Sequence, residues 1–200
     1  STLQQTAASI FGFGASRTMQ IAQKLFQGID IDGETVGLIT YMRTDSTEIS
    51  KEAIESYRSY LKNNFNDNYL PKEVRTYKSK KAKNAQEAHE GIRPTDINLK
   101  PDDVSKFLDA DSLKLYKLIW KRALASQMSS ATFERTALEI SSEDNTIKLR
   151  ANGSIPKFDG FLNIYSEFKV KNDDIDKRNE DEESENENSL PEVSLNTRIN

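Results

Sequence analysis

Apolar residues recur at helical spacing through most of the first 127 residues, and they alternate with polar residues after that point. The helical spacing predicts four main helices, each bounded by capping or glycine residues. They cover about 2–11, from Ser16 to Gly28, from a cap at Ser50 or Thr47 to Leu61, and about 112–128, the last capped by Asp111 or Ser112. A glycine turn joins the first two helices, so we predict a helical hairpin, which could be of helix-turn-helix type.

Strand signals occupy four shorter segments. The apolar, β-branched run from Val36 to Thr40 follows a turn-forming Asp32-Gly33 pair and predicts a buried strand that delivers Tyr41 at its end. Three later strands are predicted at 132–140, 146–151 and 161–168. We therefore predict an α+β fold. A mainly helical domain over 1–127 carries the Tyr41 strand, and part of an antiparallel β domain follows over 128–200.

Charge is distributed unevenly along the chain. Residues 1–171 hold 25 Lys and Arg against 22 Asp and Glu, whereas residues 172–200 hold 3 against 10, which gives +3 and −7. The acidic character thus belongs to the tail and does not argue against a polyanionic partner. The Asp, Glu, Asn and Ser run at 172–188 has almost nothing to bury, so we predict a disordered or solvated loop there.

Composition excludes several kinds of site. The chain has no cysteine, so it holds no disulfide, thiolate metal site or cysteine nucleophile. No apolar run approaches the roughly 18 residues that span a bilayer, and no signal peptide opens the sequence, so we expect a cytoplasmic protein without membrane contact. The sequence starts without Met directly inside a predicted helix, which we interpret as a fragment of a longer protein.

Two blocks of residues carry specific chemical information. The segment Ile39-Thr40-Tyr41-Met42-Arg43-Thr44-Asp45-Ser46 resembles the active-site signature of type IA DNA topoisomerases, and Met42 is typical of their bacterial branch. The block from Ala85 to Thr95, with His89 48 residues after Tyr41, resembles the Ala-His-Glu-x-Ile-Arg-Pro block of the same family. Further similarity in the opening helix and around Gly153 to Phe161 extends the resemblance over about residues 1–168.

The resemblance implies roles for seven residues. Tyr41 would be the nucleophile that cleaves one DNA strand and holds its 5′-phosphate, because a tyrosine phosphodiester stores the bond energy without hydrolysing readily. Since a free phenol has a pKa of about 10, a cation must help, and Arg43 would place a planar guanidinium against the scissile phosphate. His89 would position that phosphate, and Arg93 would support the site or the DNA backbone. The following loop would be fixed by side-chain to backbone bonds from Thr44, Asp45 and Ser46.

The resemblance also implies what this chain lacks. Members of the family bind Mg²⁺ through a separate Toprim domain, which also supplies a lysine that protonates the leaving 3′-oxygen. We therefore expect no metal in this chain, and a fragment that binds single strands weakly and does not relax supercoiled DNA by itself. Asp30, Asp32 and Glu34 match an Asp-x-Asp-x-Glu metal pattern superficially, but they follow a helix end and are interpreted as a turn.

The implied whole enzyme cleaves and religates single-stranded DNA without ATP and relaxes negative supercoils. Its helical domain would swing to open a DNA gate, and its β-rich domain would form the arch that acts as the hinge. The implied partners are single-stranded DNA and the rest of its own chain, in a monomeric, nucleoid-associated protein.

Three other interpretations stay open. The helical hairpin alone could mark a non-catalytic helix-turn-helix DNA-binding module, although this leaves the Tyr41 run unexplained. A tyrosine recombinase or type IB enzyme also uses Tyr, His and Arg on DNA, but it places its tyrosine after a His-x-x-Arg block. A plain interaction domain with an acidic tail would make Tyr41 dispensable. Separately, the basic segment from Lys72 to Lys83 could track a DNA backbone or form a solvated loop.

Overall fold

The computed structural model describes residues 2–77, 89–142 and 146–168, which belong to two compact units. The first unit contains the chain up to Ser129 together with the segment that starts at Gly160, and the second contains residues 130–159. The predicted acidic loop at 172–188 lies outside the described residues, as do Lys78 to Lys83 and the start of the second block at 85–88.

Two helices open the first unit. Helix α1 spans Thr2–Phe11 and α2 spans Ala15–Gln27, with a turn at Gly12, whose φ of 70° suits glycine. The predicted cap at Ser16 is wrong. Gly14 caps α2 instead, because its carbonyl accepts both the backbone N–H of Thr18 (3.0 Å) and the Thr18 hydroxyl (3.1 Å).

A short hairpin follows α2. Strand β1 (Ile29–Ile31) pairs antiparallel with β2 (Glu34–Val36). The predicted turn is confirmed, since Asp32 and Gly33 join the strands with φ values of 51° and 91°.

The segment that leads to Tyr41 is extended, but it is not the strand predicted for Val36 to Thr40. Only Val36 lies in a ladder, and the rest of the run has a single isolated bridge, between Ile39 and Pro94. Its burial was predicted correctly, because Leu38 and Ile39 lie in the core. Hydrogen bonds to two separate pieces of chain, rather than a sheet, hold this segment.

The longer helices of the first unit begin at caps. Helix α3 (Lys51–Asn64) starts at the predicted Ser50, whose Oγ accepts from the N–H of Ala53 (3.3 Å). Helix α5 (Ala110–Ala125) starts earlier than predicted, because Asp109 rather than Asp111 or Ser112 is the cap and accepts from the N–H of Ser112 (2.8 Å). Shorter pieces are a 3₁₀ turn at Asp67–Tyr69, helix α4 at Pro101–Val104 and a second 3₁₀ turn at Ser105–Phe107.

Residues 161–168 contradict the prediction of a third late strand. They form helix α6 (Leu162–Tyr165) and a 3₁₀ turn (Ser166–Phe168), and they pack with the helical unit rather than with the β part. The aromatic residues of this segment serve a helix interface: the Arg122 guanidinium of α5 lies 5.1 Å from the centre of the Tyr165 ring, and Tyr165 itself is buried. The predicted boundary, which assigned everything after residue 128 to the β domain, is wrong for this segment.

The core of the first unit is one apolar cluster around α5. Its largest fully buried members include Leu25, Leu38, Tyr57, Leu61, Ile97, Leu115, Tyr116, Leu124 and Met128. No helix in the described ranges is long and apolar enough to cross a membrane.

The second unit is a two-stranded antiparallel ribbon. Strand β3 (Thr132–Ser141) matches its prediction, and β4 (Lys148–Phe158) runs well past the predicted end at residue 151. Large apolar side chains such as Ile147, Leu149 and Ile155 are at least half exposed on this unit. Helices followed by antiparallel strands confirm the predicted α+β class.

Candidate active site

Tyr41 stands at the surface end of a buried segment. Its neighbours Ile39 and Met42 are 1% and 3% exposed, whereas Tyr41 is 37% exposed. Three residues before Tyr41, the N–H of Leu38 donates to the carbonyl of Leu25 in the last turn of α2 (2.8 Å). Because the residues on both sides of Tyr41 are anchored in the core, its ring is held at the surface in a restricted position.

The second block of the sequence runs alongside this segment and supports it. The N–H of Thr40 donates to the carbonyl of Arg93 (2.9 Å), and the N–H of Thr95 donates to the carbonyl of Leu38 (3.0 Å). Two blocks that lie far apart in the sequence thus form one paired structure beneath Tyr41.

The side chain of Thr40 strengthens this pairing. Its hydroxyl donates to the carbonyl of Gly91 (3.0 Å) and accepts from the N–H of Arg93 (3.0 Å). Gly91 is itself constrained, since its N–H donates to the carbonyl of Glu48 (2.7 Å) and a Cβ there would lie 3.3 Å from the carbonyl oxygen of Ser46. The residue immediately before Tyr41 therefore locks the second block in place.

Two aromatic rings contact Tyr41. The centre of the His89 ring lies 5.2 Å from that of Tyr41, with 55° between the planes. The Phe26 ring, from the last turn of α2, lies 5.4 Å away on an edge-on contact of 67°. The structure thus brings the histidine of the second block to the tyrosine of the first. Phe26 was missed by sequence reasoning, because its place in the apolar pattern of α2 predicts a core residue.

Arg43 is exposed on the loop after Tyr41. Across residues 2–77, 89–142 and 146–168 it forms no ion pair with a carboxylate. A guanidinium in that state keeps its five N–H donors available for an anion.

The loop after Arg43 is held by short-range bonds. The Thr44 hydroxyl accepts from the N–H of Ser46 (3.0 Å) and lies 3.5 Å from the carbonyl of His89. The Ser46 hydroxyl accepts from the N–H of Glu48 (3.1 Å). Asp45 is exposed. Thr44 and Ser46 thus shape the backbone that carries Arg43 and the backbone that faces His89.

The Arg93 side chain bonds to residues of its own block. Its Nε and Nη2 donate to the two carboxylate oxygens of Glu90 (2.6 and 3.2 Å), and its Nη1 donates to the carbonyl of Pro94 (3.0 Å). Its side chain is only 15% exposed. Glu90 also accepts from the N–H of Ser50 at the start of α3 (3.1 Å). Arg93 and Glu90 thus link the second block to the start of α3.

This ion pair shifts the pKa values around it. The hydrogen bond from Arg93 lowers the pKa of Glu90, and the backbone N–H of Ser50 lowers it further. Burial raises the pKa of the neighbouring Tyr57 to about 12, an effect that Arg93 partly offsets. Burial likewise raises the pKa of Tyr116 above its usual range. Both tyrosines are buried in the core, so neither phenol lies at the surface beside Tyr41.

The other charged candidates lie in ordinary surroundings. Asp30 caps the hairpin turn by accepting from the N–H of Gly33 (3.0 Å), and Asp32 lies 4.0 Å from the Lys106 ammonium. In the parts of the chain that the structure describes, no three His, Asp or Glu side chains come together as a possible metal site.

Comparison with known proteins identifies the family. Residues 1–198 match the family model described as DNA topoisomerase. The chain is 51% identical over 167 residues to DNA topoisomerase 1 of Rickettsia bellii, and 46% identical over 177 residues to that of Helicobacter pylori. These alignments cover 84% and 88% of this chain. The full-length topoisomerase I structure from Thermotoga maritima is similar with a TM-score of 0.72 and 33% identity over 96% of this chain.

The chain belongs to the DNA topoisomerase family, whose members are isomerases. Its relatives are bacterial type I enzymes, and the resemblance to bacterial type IA topoisomerases that the Tyr41 and His89 blocks predicted is confirmed. The chain spans 21% and 23% of the length of the Rickettsia bellii and Helicobacter pylori relatives, and 28% of the Thermotoga maritima chain. It therefore corresponds to one part of a larger topoisomerase.

Proposed function

We propose that this chain is the part of a type IA DNA topoisomerase that carries the nucleophile. The phenolic oxygen of Tyr41 attacks a phosphorus in a single DNA strand, forms a 5′-phosphotyrosine bond and releases the 3′-hydroxyl of the other piece. Attack by that hydroxyl reverses the step and frees Tyr41, so no ATP is consumed. Passage of DNA between the two steps would relax negative supercoils in the whole enzyme.

The observation that carries this proposal is the placement of Tyr41. An exposed tyrosine stands on a buried, doubly hydrogen-bonded support, with the His89 ring 5.2 Å from its own. Aromatic residues that serve only in packing have no need of such a support at the surface. A nucleophile does, because its rate depends on how well it is held against the reacting atom.

Arg43 and His89 supply the two further functions that the reaction requires. The nonbridging oxygens of the phosphate become more negative as the phenolic oxygen attacks. The Arg43 guanidinium, which pairs with no carboxylate among the described residues, can bind two of these oxygens in its plane. His89 donates a hydrogen bond to the same phosphate and so sets its position beside Tyr41. Thr44 and Ser46 hold the loop between these groups, and Glu90 with Arg93 holds the backbone beneath.

Mg²⁺ and the acid that protonates the leaving 3′-oxygen are assigned to the part of the enzyme outside this chain. When bound, the metal would neutralise phosphate charge during cleavage and religation. We accordingly propose that the 200-residue chain alone binds single strands weakly and does not relax DNA, and that the whole enzyme acts as a cytoplasmic monomer.

The test uses the full-length enzyme with Mg²⁺ and a single strand labelled at its 3′ end, since that label stays with the protein after cleavage. Tyr41→Phe should abolish the labelled protein, while the Kd for the strand changes less than about twofold, because only the reacting oxygen is removed. Arg43→Lys should slow cleavage by about tenfold to a hundredfold, because lysine keeps the charge but loses the bidentate geometry.

A matched control is Tyr60→Phe, which also removes one phenolic oxygen but keeps the ring contact with Trp120 (5.6 Å). It should cleave at the parental rate. Labelled protein that persists in the Tyr41→Phe enzyme, or a labelled peptide that lacks residue 41, would contradict the proposal. Unchanged binding with no adduct in the parent enzyme would instead favour a non-catalytic DNA-binding module.

A further inference from the structure

The Tyr41 ring has a second neighbour that the proposed chemistry does not use. Phe26 is 37% exposed, although burial of a phenyl group lowers the free energy. Among the described residues, the aromatic ring that it contacts is that of Tyr41. We propose that Phe26 is a positioning residue for the Tyr41 nucleophile and that its ring, together with that of His89, restricts the orientation of the Tyr41 side chain. This inference rests on the proposed function, since it assumes that Tyr41 attacks DNA.

The backbone fixes the distance between Phe26 and Tyr41. The chain leading to Tyr41 touches the end of α2 directly: a Cβ at Gly37 would lie 2.9 Å from the carbonyl oxygen of Phe26, closer than side chains tolerate. The next residue, Leu38, donates its N–H to the carbonyl of Leu25 (2.8 Å). These close approaches therefore hold the backbone of Phe26 next to the backbone that leads to Tyr41.

The rings of Phe26 and His89 limit the rotation of the Tyr41 side chain. An exposed tyrosine can occupy three staggered χ1 positions, and the two neighbouring rings exclude those that would overlap Phe26 or His89. Under the proposed function, the reactive position is the one that these two rings leave open, so removal of the Phe26 ring lowers the fraction of enzyme that is ready to react. Together with a looser approach to the phosphorus, we expect a fall of about tenfold in the cleavage rate.

The test compares Phe26→Ala, Phe26→Leu and Phe26→Tyr in the full-length enzyme. The rate of adduct formation is measured in a single turnover at saturating 3′-labelled strand, and the Kd for that strand is measured separately. Phe26→Ala and Phe26→Leu should be about tenfold slower with Kd changed less than about twofold, whereas Phe26→Tyr, which keeps the ring, should stay within about twofold of the parent. Phe133→Ala is the control, because Phe133 has the same exposed fraction and lies in the other unit.

Two results would overturn the inference. One is a parental cleavage rate in Phe26→Ala, and the other is a loss that lies wholly in Kd, which would make Phe26 a contact for DNA bases instead. Should Phe26→Ala fail to fold, equal rates in Phe26→Leu and Phe26→Tyr overturn it as well. The two proposals fail separately: an adduct that survives Tyr41→Phe sinks the proposed function, whereas its absence there, together with a parental Phe26→Ala rate, sinks only the role of Phe26.

Discussion

Replacement of Thr40 by Val tests whether the second block supports Tyr41. Valine keeps the β-branched shape but removes the hydroxyl that bonds the carbonyl of Gly91 and the N–H of Arg93, both at 3.0 Å. A hydrogen bond contributes about 1 kcal/mol, so two lost bonds weaken the local pairing by about 2 kcal/mol, or about 30-fold in its opening equilibrium. The Gly91 carbonyl and the Arg93 N–H are both partly buried, so water cannot fully replace the lost hydroxyl.

Amide hydrogen exchange measures this opening directly. The N–H of Thr95 is the reporter, because its own bond to the carbonyl of Leu38 is not altered by the substitution. In Thr40→Val its exchange should be about 30-fold faster, while amides in the middle of α5 keep the parental rate. Thr40→Ser, which retains the hydroxyl, should exchange within about threefold of the parent. An unchanged Thr95 rate in Thr40→Val would show that the side chain does not couple the two blocks.

Two further predictions concern charged groups of the framework. The folded-state pKa of Glu90 is lowered, so its contribution to stability is complete above the unfolded pKa of about 4.3 and is lost as the pH falls through the folded value. In urea denaturation from pH 7 to 3, Glu90→Gln should therefore lose less of its free energy of unfolding at acid pH than the parent does. An identical loss in the variant would refute this. Asp109→Ala removes the cap of α5 and should lower the free energy of unfolding by about 1 kcal/mol in urea denaturation. Lys24→Ala, which breaks only the exposed ion pair to Asp109 (2.7 Å), should lower it by less than about 0.5 kcal/mol, and equal losses would assign the effect to the pair.

Local signals in the sequence were sufficient to find the four main helices and to single out the Tyr41 and His89 blocks. Helical periodicity gave α1 and α2 closely, and Ser50 was recognisable as the cap of α3 because a hydroxyl there precedes the apolar pattern. The Tyr41 and His89 blocks were found because long motifs are specific, and the structure brings their rings together.

Features that depend on tertiary partners were not recoverable in the same way. The segment 161–168 has aromatic and β-branched residues that suit a strand, but the surface of α5 and its cations favour a helical turn there. The exposed Phe26 looks like any apolar residue of an amphipathic helix until the fold sets it beside Tyr41. The pairing of Glu90 with Arg93 could not be predicted, because three residues of separation on a loop do not determine which way two side chains turn.

The hydroxyl of Thr40 and the backbone of Arg93 are joined across 53 positions of the chain. During synthesis, the chain must therefore extend past Arg93 before the hydrogen bonds that support Tyr41 can form, so this pairing forms late in folding. The same separation makes insertions between the two blocks easier to tolerate than a shift in how the blocks pair. Lengthening the stretch between the two blocks adds little closure entropy, about 0.6 kcal/mol per doubling, whereas a one-residue slip where they meet would misplace the tyrosine altogether.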